Sequence, residues 1–252
     1  MRYLYMQPSQ IRDAVKRNIP VVLPLGVIEY HAEHLPIGTD YFIAEKVLNM
    51  VEEQYPDDMV LLPPFYYGTA TCAVADPENN GTINVSPEKI IPVAEDIFKG
   101  LLEVGFRNIH CFIAHQTEGF YQGMPTDLAF RTAARHVIFE WLEKESGEGW
   151  WGTEKFSNYY DGSNNPFKWI QIHTSREHDV TGEHKRKFPG DHAGILETSE
   201  TLCMYPELVE LDRIDGSIWY ARTGKDATAA YGDAALEAAA DDLELSLYPE
   251  KK

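Results

Sequence analysis

Ile19-Pro-Val-Val-Leu-Pro-Leu-Gly-Val27 is the stretch that decides the fold. It is apolar and partly β-branched, and Gly26 closes it. It is too short and too proline-marked for a buried helix, so it reads as a central strand. Just beyond it, Thr39-Asp40 is placed to cap a helix across Tyr41–Gln54, where Phe42, Val47, Leu48 and Val51 recur at helical spacing. A second strand is expected over Met59–Phe65, and a long polar loop over Gly68–Val85. Ser86-Pro87-Glu88 then opens a helix with a cap, a proline in the first turn and an acid near the positive end. That helix runs to Leu102 and stops at Gly105.

The alternation continues. Arg107–Ala114 reads as another buried strand ending at His115, and Thr126–Lys144 as a helix. The segment from Gly147 to Trp169 is rich in Gly, Asn, Ser, Trp and Tyr and reads as a surface excursion. A short strand at Trp169–His173, a polar stretch over Ser175–Asp191, a helix from Ala193 to Cys203 and a terminal helix over Asp226–Leu247, broken at Gly232, complete the chain. Strands joined by connections of helical length imply an α/β fold: a mainly parallel sheet covered by helices on both faces, in one unit spanning residues 1–252. Such sheets place their ligand beyond the carboxyl ends of the strands.

The 252 residues include 40 Asp and Glu against 22 Lys and Arg, a net charge of −18, which argues against nucleic acid or an anionic membrane as the main partner. No apolar run approaches the ~20 residues of a membrane span, and the first residues show no signal-peptide core. Cys72, Cys111 and Cys203 form no CxxC pair, so a reducing, cytoplasmic setting is expected.

Chemistry concentrates after the first strand. Glu29 and His31 are two apart and share one side of an extended segment, and Asp40 follows a short loop. His115 ends a neighbouring strand, and Asp191-His192-Ala-Gly-Ile-Leu-Glu197 adds a third group. Carboxylates and imidazoles converging at strand ends suit a divalent metal with O and N ligands. Alone, Glu29-x-His31 reads more readily as a solvated loop pair. His34 reads as a loop histidine bonded to a backbone carbonyl, and His110 as a core residue. Exposure is the default for His173, His178 and His184. The separate signals gain force because they fall at strand ends.

Pro24-Leu-Gly-Val-Ile-Glu29-Tyr-His31-Ala-Glu-His34-Leu-Pro-Ile-Gly-Thr-Asp40 resembles the opening signature of the creatininase (creatinine amidohydrolase) family, P-L-G-x-x-E-x-H-G-x-H-L-P-x-x-T-D. The similarity continues through Gly81-Thr82-Ile83, Gly105–Ile109 leading to His115, and His192-Ala-Gly-Ile-Leu-Glu-Thr-Ser199. The resemblance implies a three-layer α/β/α sandwich with a centre of one or two divalent ions, Zn²⁺ foremost, with Mn²⁺ or Fe²⁺ as alternatives. It assigns Glu29, Asp40 and His115 to one ion, and His31 with a bridging Asp40 to the other. Where creatininase has a ligand Glu two residues after the strand-end His, this chain has Thr117, with Glu118 next. Glu118 and Glu197 stand as alternative completions of the second site.

The resemblance implies hydrolysis by a metal-activated water at a C–N amide bond of a small, polar, cyclic substrate, with His192 protonating the leaving atom and Glu118 as a further catalytic candidate. Trp150, Trp151 and Trp169, with Gln116 and Thr117, are the expected substrate contacts; the tryptophans equally suit a subunit interface. A rival reading is ring-opening C–C hydrolysis of a cyclic polyol-derived diketone, and a third is a non-catalytic metal-binding assembly protein. The family also implies a homo-oligomer, often a hexamer.

Overall fold

The computed structural model describes residues 1–70, 75–115, 125–158, 165–175, 177 and 182–251. Strand β1 (Val21–Leu25) is buried at every position, as its unbroken apolar run requires. It pairs in parallel with β2 (Val60–Leu61) on one side and β3 (Ile109–Ile113) on the other, and β3 pairs with β4 (Ile170–Thr174). The sheet order is β2-β1-β3-β4. Helix α1 (Pro8–Arg17) precedes β1, and each crossover carries one helix: α2 (Thr39–Gln54), α3 (Pro87–Val104) and α4 (Pro125–Ser146). Beyond β4 come short α5 (Glu183–Lys187), α6 (Ile195–Met204) and α7 (Ala229–Leu247).

Alternate strand residues feed two cores. Val21, Leu23, Leu25, Ile109, Cys111 and Ile113 pack with Ile90, Ala94 and Phe98 of α3 and Phe130, Ala133 and Val137 of α4. Val22 and Phe112 face the other way, onto Val47, Leu48 and Val51 of α2 and Leu236, Ala239 and Leu243 of α7. The layers are α/β/α. Each fully buried Phe contributes about 1.5–3 kcal/mol by leaving water, and Phe98, Phe112 and Phe130 anchor the two faces. No helix among the described residues is long and apolar enough to cross a membrane.

Several boundaries differ from the sequence reading for local reasons. The strand expected over 59–65 shrinks to two residues because Pro63-Pro64 offers no N–H to the ladder; a single bridge from Leu25 to Phe65 resumes the pairing. Thr39 and Asp40 do not cap α2. They occupy its first turn, Thr39 Oγ1 donates to Pro36 O at 2.6 Å, and the Asp40 carboxylate is drawn to two imidazoles instead. The polar stretch before Asp191 contains α5.

Gly232 does not break the terminal helix. A Cβ there would lie 2.0 Å from Ser199 O, so this glycine lets α7 lie directly on the α6 backbone.

Candidate metal centre

The register aligns Leu25 with Ile113, so chain leaving β1 and β3 emerges at one edge of the sheet. Past β1, Glu29 N donates to Ile37 O at 3.1 Å, Ile83 N to Ile28 O at 3.0 Å and Tyr30 N to Thr82 Oγ1 at 2.9 Å. This loop is thereby pinned on both sides. His31 Nδ1 donates to Glu29 O at 2.9 Å, which leaves Nε2 bare and facing inward. Asp40 enters from the first turn of α2, and His115 sits two residues past β3.

Asp40 lies between the two imidazoles. Its Oδ2 is 2.9 Å from His115 Nδ1, and Glu29 Oε2 is 3.3 Å from the same nitrogen. Its Oδ1 is 3.3 Å from His31 Nε2, and Glu197 Oε2 is 3.5 Å from that nitrogen. Glu29, Asp40 and His115 thus offer one set of converging donors, and His31, Asp40 and Glu197 a second; within each set the donor atoms lie within 4.8 Å of one another. All five residues are buried. Glu29 Oε2, His31 Nε2, Asp40 Oδ1 and Glu197 Oε1 have no hydrogen-bond partner. Buried charges are ordinarily paired or bound to metal, so three buried carboxylates with two imidazoles and four unsatisfied atoms fit hard-to-borderline divalent cations with O and N ligands.

The charges are tightly coupled. Burial lifts Glu29 to about 7 although His115 opposes it, and burial also raises Glu197. Burial works against Asp40 ionising, yet His115 and His31 outweigh it and hold the carboxyl below its ordinary value. Burial alone would lower His31, but Asp40 and Glu197 raise it to about 10; Asp40 likewise raises His115 against burial. Both candidate donor sets therefore carry protons that a divalent cation would have to displace.

The α6 entry is built from its own side chains. Asp191 Oδ2 accepts from Leu196 N at 2.7 Å and Oδ1 from Glu197 N at 3.3 Å, so Asp191 organises the helix start. Ala193 N donates to Glu197 Oε2 at 2.7 Å. His34 Nε2 bonds Thr198 Oγ1 at 2.9 Å, tying the first motif to the last. His192 Nε2 donates to Tyr30 O at 2.9 Å, its ring lies 4.4 Å from that of His31, and burial followed by His31 lowers it to about 3. His192 is therefore a neutral imidazole whose proton is held on Nε2.

Glu29, His31, Asp40, His115, Glu197 and His192 come together; Gln116, Thr117 and Glu118 lie outside the described residues, as does His178. The tryptophans do not line this cluster in their own chain. Trp150 is 3% exposed in the core beneath α4, against Phe139 and Phe156, because its indole has more apolar surface to bury there. Trp151 is 59% exposed. Trp169 O accepts from Ile109 N at the amino end of β3, about 13 Å along the strand from the end that leads to His115, and its ring stacks under Arg107. Glu29-x-His31 is buried rather than solvated, and His34 bonds a side-chain hydroxyl rather than a carbonyl. His173 is buried, not exposed, because it bonds His110 Nδ1 at 2.9 Å. Tyr220 and Asp127 escaped the sequence reading. Tyr220 packs edge-on to His192 with ring centroids 5.3 Å apart, and nothing in its Ser-Ile-Trp-Tyr surroundings signals this.

Comparison with known proteins agrees with this geometry. The creatinine amidohydrolase of Pseudomonas putida is 24% identical over 200 residues, covering 77% of this chain and 67% of that one. A manganese form of creatininase superposes with a TM-score of 0.72 at 18% identity, covering 99% of this chain and 98% of the other. A creatininase variant of Zn–Zn type gives 0.71 at 18% identity, covering 99% and 97%. The creatininase family model, described as creatinine amidohydrolase, matches residues 5–245, and the chain accordingly belongs to the creatininase family.

Proposed function

We propose that the chain is a metal-dependent amidohydrolase that opens a C–N amide bond of a small, polar, cyclic molecule. The observation that carries this is one buried carboxylate, Asp40, facing two separate imidazoles, each backed by a second carboxylate. Glu29, Asp40 and His115 hold one divalent ion, and His31, Asp40 and Glu197 the other, with Zn²⁺ or Mn²⁺ as the occupants. Such ions, when bound, acidify water toward neutrality and polarise a carbonyl oxygen. The residues around them do the rest. Burial of all five ligands excludes bulk water, and the three carboxylates hold positive charge where negative charge develops on the substrate.

His192 is the proton carrier in this reading, and its hydrogen bond to Tyr30 O supports an order of events. With Nε2–H donated to Tyr30 O, the free Nδ1 lone pair would accept the proton that the attacking water gives up and deliver it to the leaving nitrogen. Tyr220 beside it supplies an aromatic wall for a ring substrate. Glu118 is a second proton-handling candidate, with Gln116 and Thr117 as substrate contacts. The substrate is a small molecule, and the protein acts as a cytoplasmic homo-oligomer.

A second reading rests on one sequence observation: Thr117 stands where creatininase has a ligand glutamate, and Gln116, Thr117 and Glu118 bring hydroxyl-recognising groups. Ring-opening C–C hydrolysis of a cyclic polyol-derived diketone suits those groups. Zn²⁺- and Mn²⁺-loaded protein assayed on creatinine, formamides and oxidised inositols separates the two. Turnover of cyclic amides or formamides supports the first reading, turnover of oxidised inositols alone replaces it with the second, and metal-loaded protein inert on the whole panel counts against both.

A further inference from the structure

Among the described residues, Asp127 is a buried carboxylate at the edge of the sheet that carries the cluster, and neither ligand set uses it. It stands in the first turn of α4, 1% exposed. Its Oδ2 accepts from Arg131 Nε at 3.1 Å, while its Oδ1 has no partner. His115 shows the complementary deficit. Its Nδ1 is turned to Asp40 and Glu29, and its buried Nε2 has no partner. An imidazole that offers Nδ1 to a cation carries its proton on Nε2, and metal-bound histidines regularly give that second N–H to a carboxylate, which fixes both tautomer and ring orientation. A buried donor and a buried acceptor are thus each left unsatisfied at one edge of the sheet: Thr126, next to Asp127, hydrogen-bonds Thr69, and a Cβ on Gly68 would meet Thr126 Oγ1 together with Gly26 O and Val27 Cγ2, where the chain leaves β1 level with the end of β3 that leads to His115.

We infer that Asp127 is the positioning residue for His115: its Oδ1 accepts the Nε2 proton, directly or across one water, whenever Nδ1 is committed to a cation. Arg131 holds the other oxygen, which keeps the carboxylate aimed. The inference rests on His115 being a ligand, as proposed above.

The test uses the full chain. Zn²⁺ affinity is measured by chelator competition for wild type, Asp127→Asn, Asp127→Glu, Arg131→Gln and His115→Ala. Long-range ¹H–¹⁵N spectra of the Zn²⁺-loaded wild type report the His115 tautomer. The expected result is a loss of about 10–100-fold in affinity for Asp127→Asn, with partial recovery in Asp127→Glu and a smaller loss in the same direction in Arg131→Gln. Nε2 of His115 is expected to be protonated in the loaded wild type and to lose its downfield, hydrogen-bonded proton in Asp127→Asn. Wild-type affinity in Asp127→Asn, or a proton on Nδ1 of His115 in the loaded wild type, overturns the inference. The spectrum of the wild type decides the matter even if Asp127→Asn fails to fold. Unchanged affinity in His115→Ala would instead sink the ligand assignment itself.

Discussion

Asp40→Asn separates a shared carboxylate from two independent ones. The carboxyl is 1% exposed, with Oδ2 2.9 Å from His115 Nδ1 and Oδ1 3.3 Å from His31 Nε2. The amide keeps the volume and removes the charge. At an effective dielectric of about 20, unit charges about 3.3 Å apart attract by about 5 kcal/mol, and breaking a buried pair costs about 3–5 kcal/mol in practice. Asp40 also repels Glu29 and Glu197, so relief of that repulsion moves the expectation toward the lower figure. For a chain of this length each kcal/mol moves the melting point by about 2–4 °C, so the metal-free variant melts roughly 6–12 °C below wild type. Metal content makes the sharper readout. Removing His31 or His115 strips one set of donors, whereas Asp40→Asn weakens both at once. Elemental analysis after equilibration against a chelator buffer is expected to find about one ion in each histidine variant and none in Asp40→Asn. Two ions retained in Asp40→Asn, or a metal-free melting point within about 2 °C of wild type, would refute the shared-carboxylate reading.

Metal binding is expected to eject protons, and the number depends on pH in a defined sense. In the metal-free protein His31 stays protonated up to about 10 and Glu29 up to about 7. Below pH 7 both release protons on binding, and by pH 8 Glu29 no longer contributes, so the count falls as pH rises. Calorimetry in buffers of different ionisation enthalpy reads this, and a count that rose with pH would contradict it. Gly232→Ala places a Cβ 2.0 Å from Ser199 O, forcing α7 off α6 by about 1 Å or more at a cost of about 1–3 kcal/mol. Because α6 carries Glu197, metal affinity drops with stability; denaturant melts and a metal titration check both, and wild-type values in each would show that the helices tolerate the methyl. His192→Ala is expected to lower kcat about 10²–10⁴-fold while leaving metal content unchanged, and loss of an ion would make His192 a ligand instead.

The sheet and most helices were legible because their signals are local. An unbroken apolar run, a proline-led helix start and a stop glycine each act within a few residues. Pairing length was not legible, since Pro63-Pro64 weakens β2 only once its neighbour is known. Glu29, His31, Asp40, His115 and Glu197 were legible through two long motifs, although His31 and Glu197 are 166 positions apart and no local rule joins them. Aromatic density in a polar segment does not say which surface the rings cover. Trp150 found the α4 core, and Trp169 found Arg107. Asp127 gave no signal: an acid in the first turn of a helix is ordinary on macrodipole grounds alone, and only burial and an unsatisfied oxygen distinguish it.

The main chain, rather than an ion, aims much of this site. Glu29 O sets the His31 tautomer, Tyr30 O holds His192, and Ala193 N orients Glu197. One of these anchors, Ala193, has φ +51°, and Ala32, two residues past Tyr30 and at the position where the family pattern carries glycine, has φ +57°. Left-handed non-glycine residues persist only where surrounding contacts impose them, and here those contacts include the hydrogen bonds that fix the ligands. If these residues are the ligands, as proposed above, metal binding is expected to act mainly by displacing protons from His31, His115, Glu29 and Glu197 rather than by ordering loops. On that basis the metal-free and metal-loaded proteins differ little in far-ultraviolet circular dichroism but strongly in melting temperature. A large gain of secondary structure on metal addition would show that the cation, not the backbone, builds the centre.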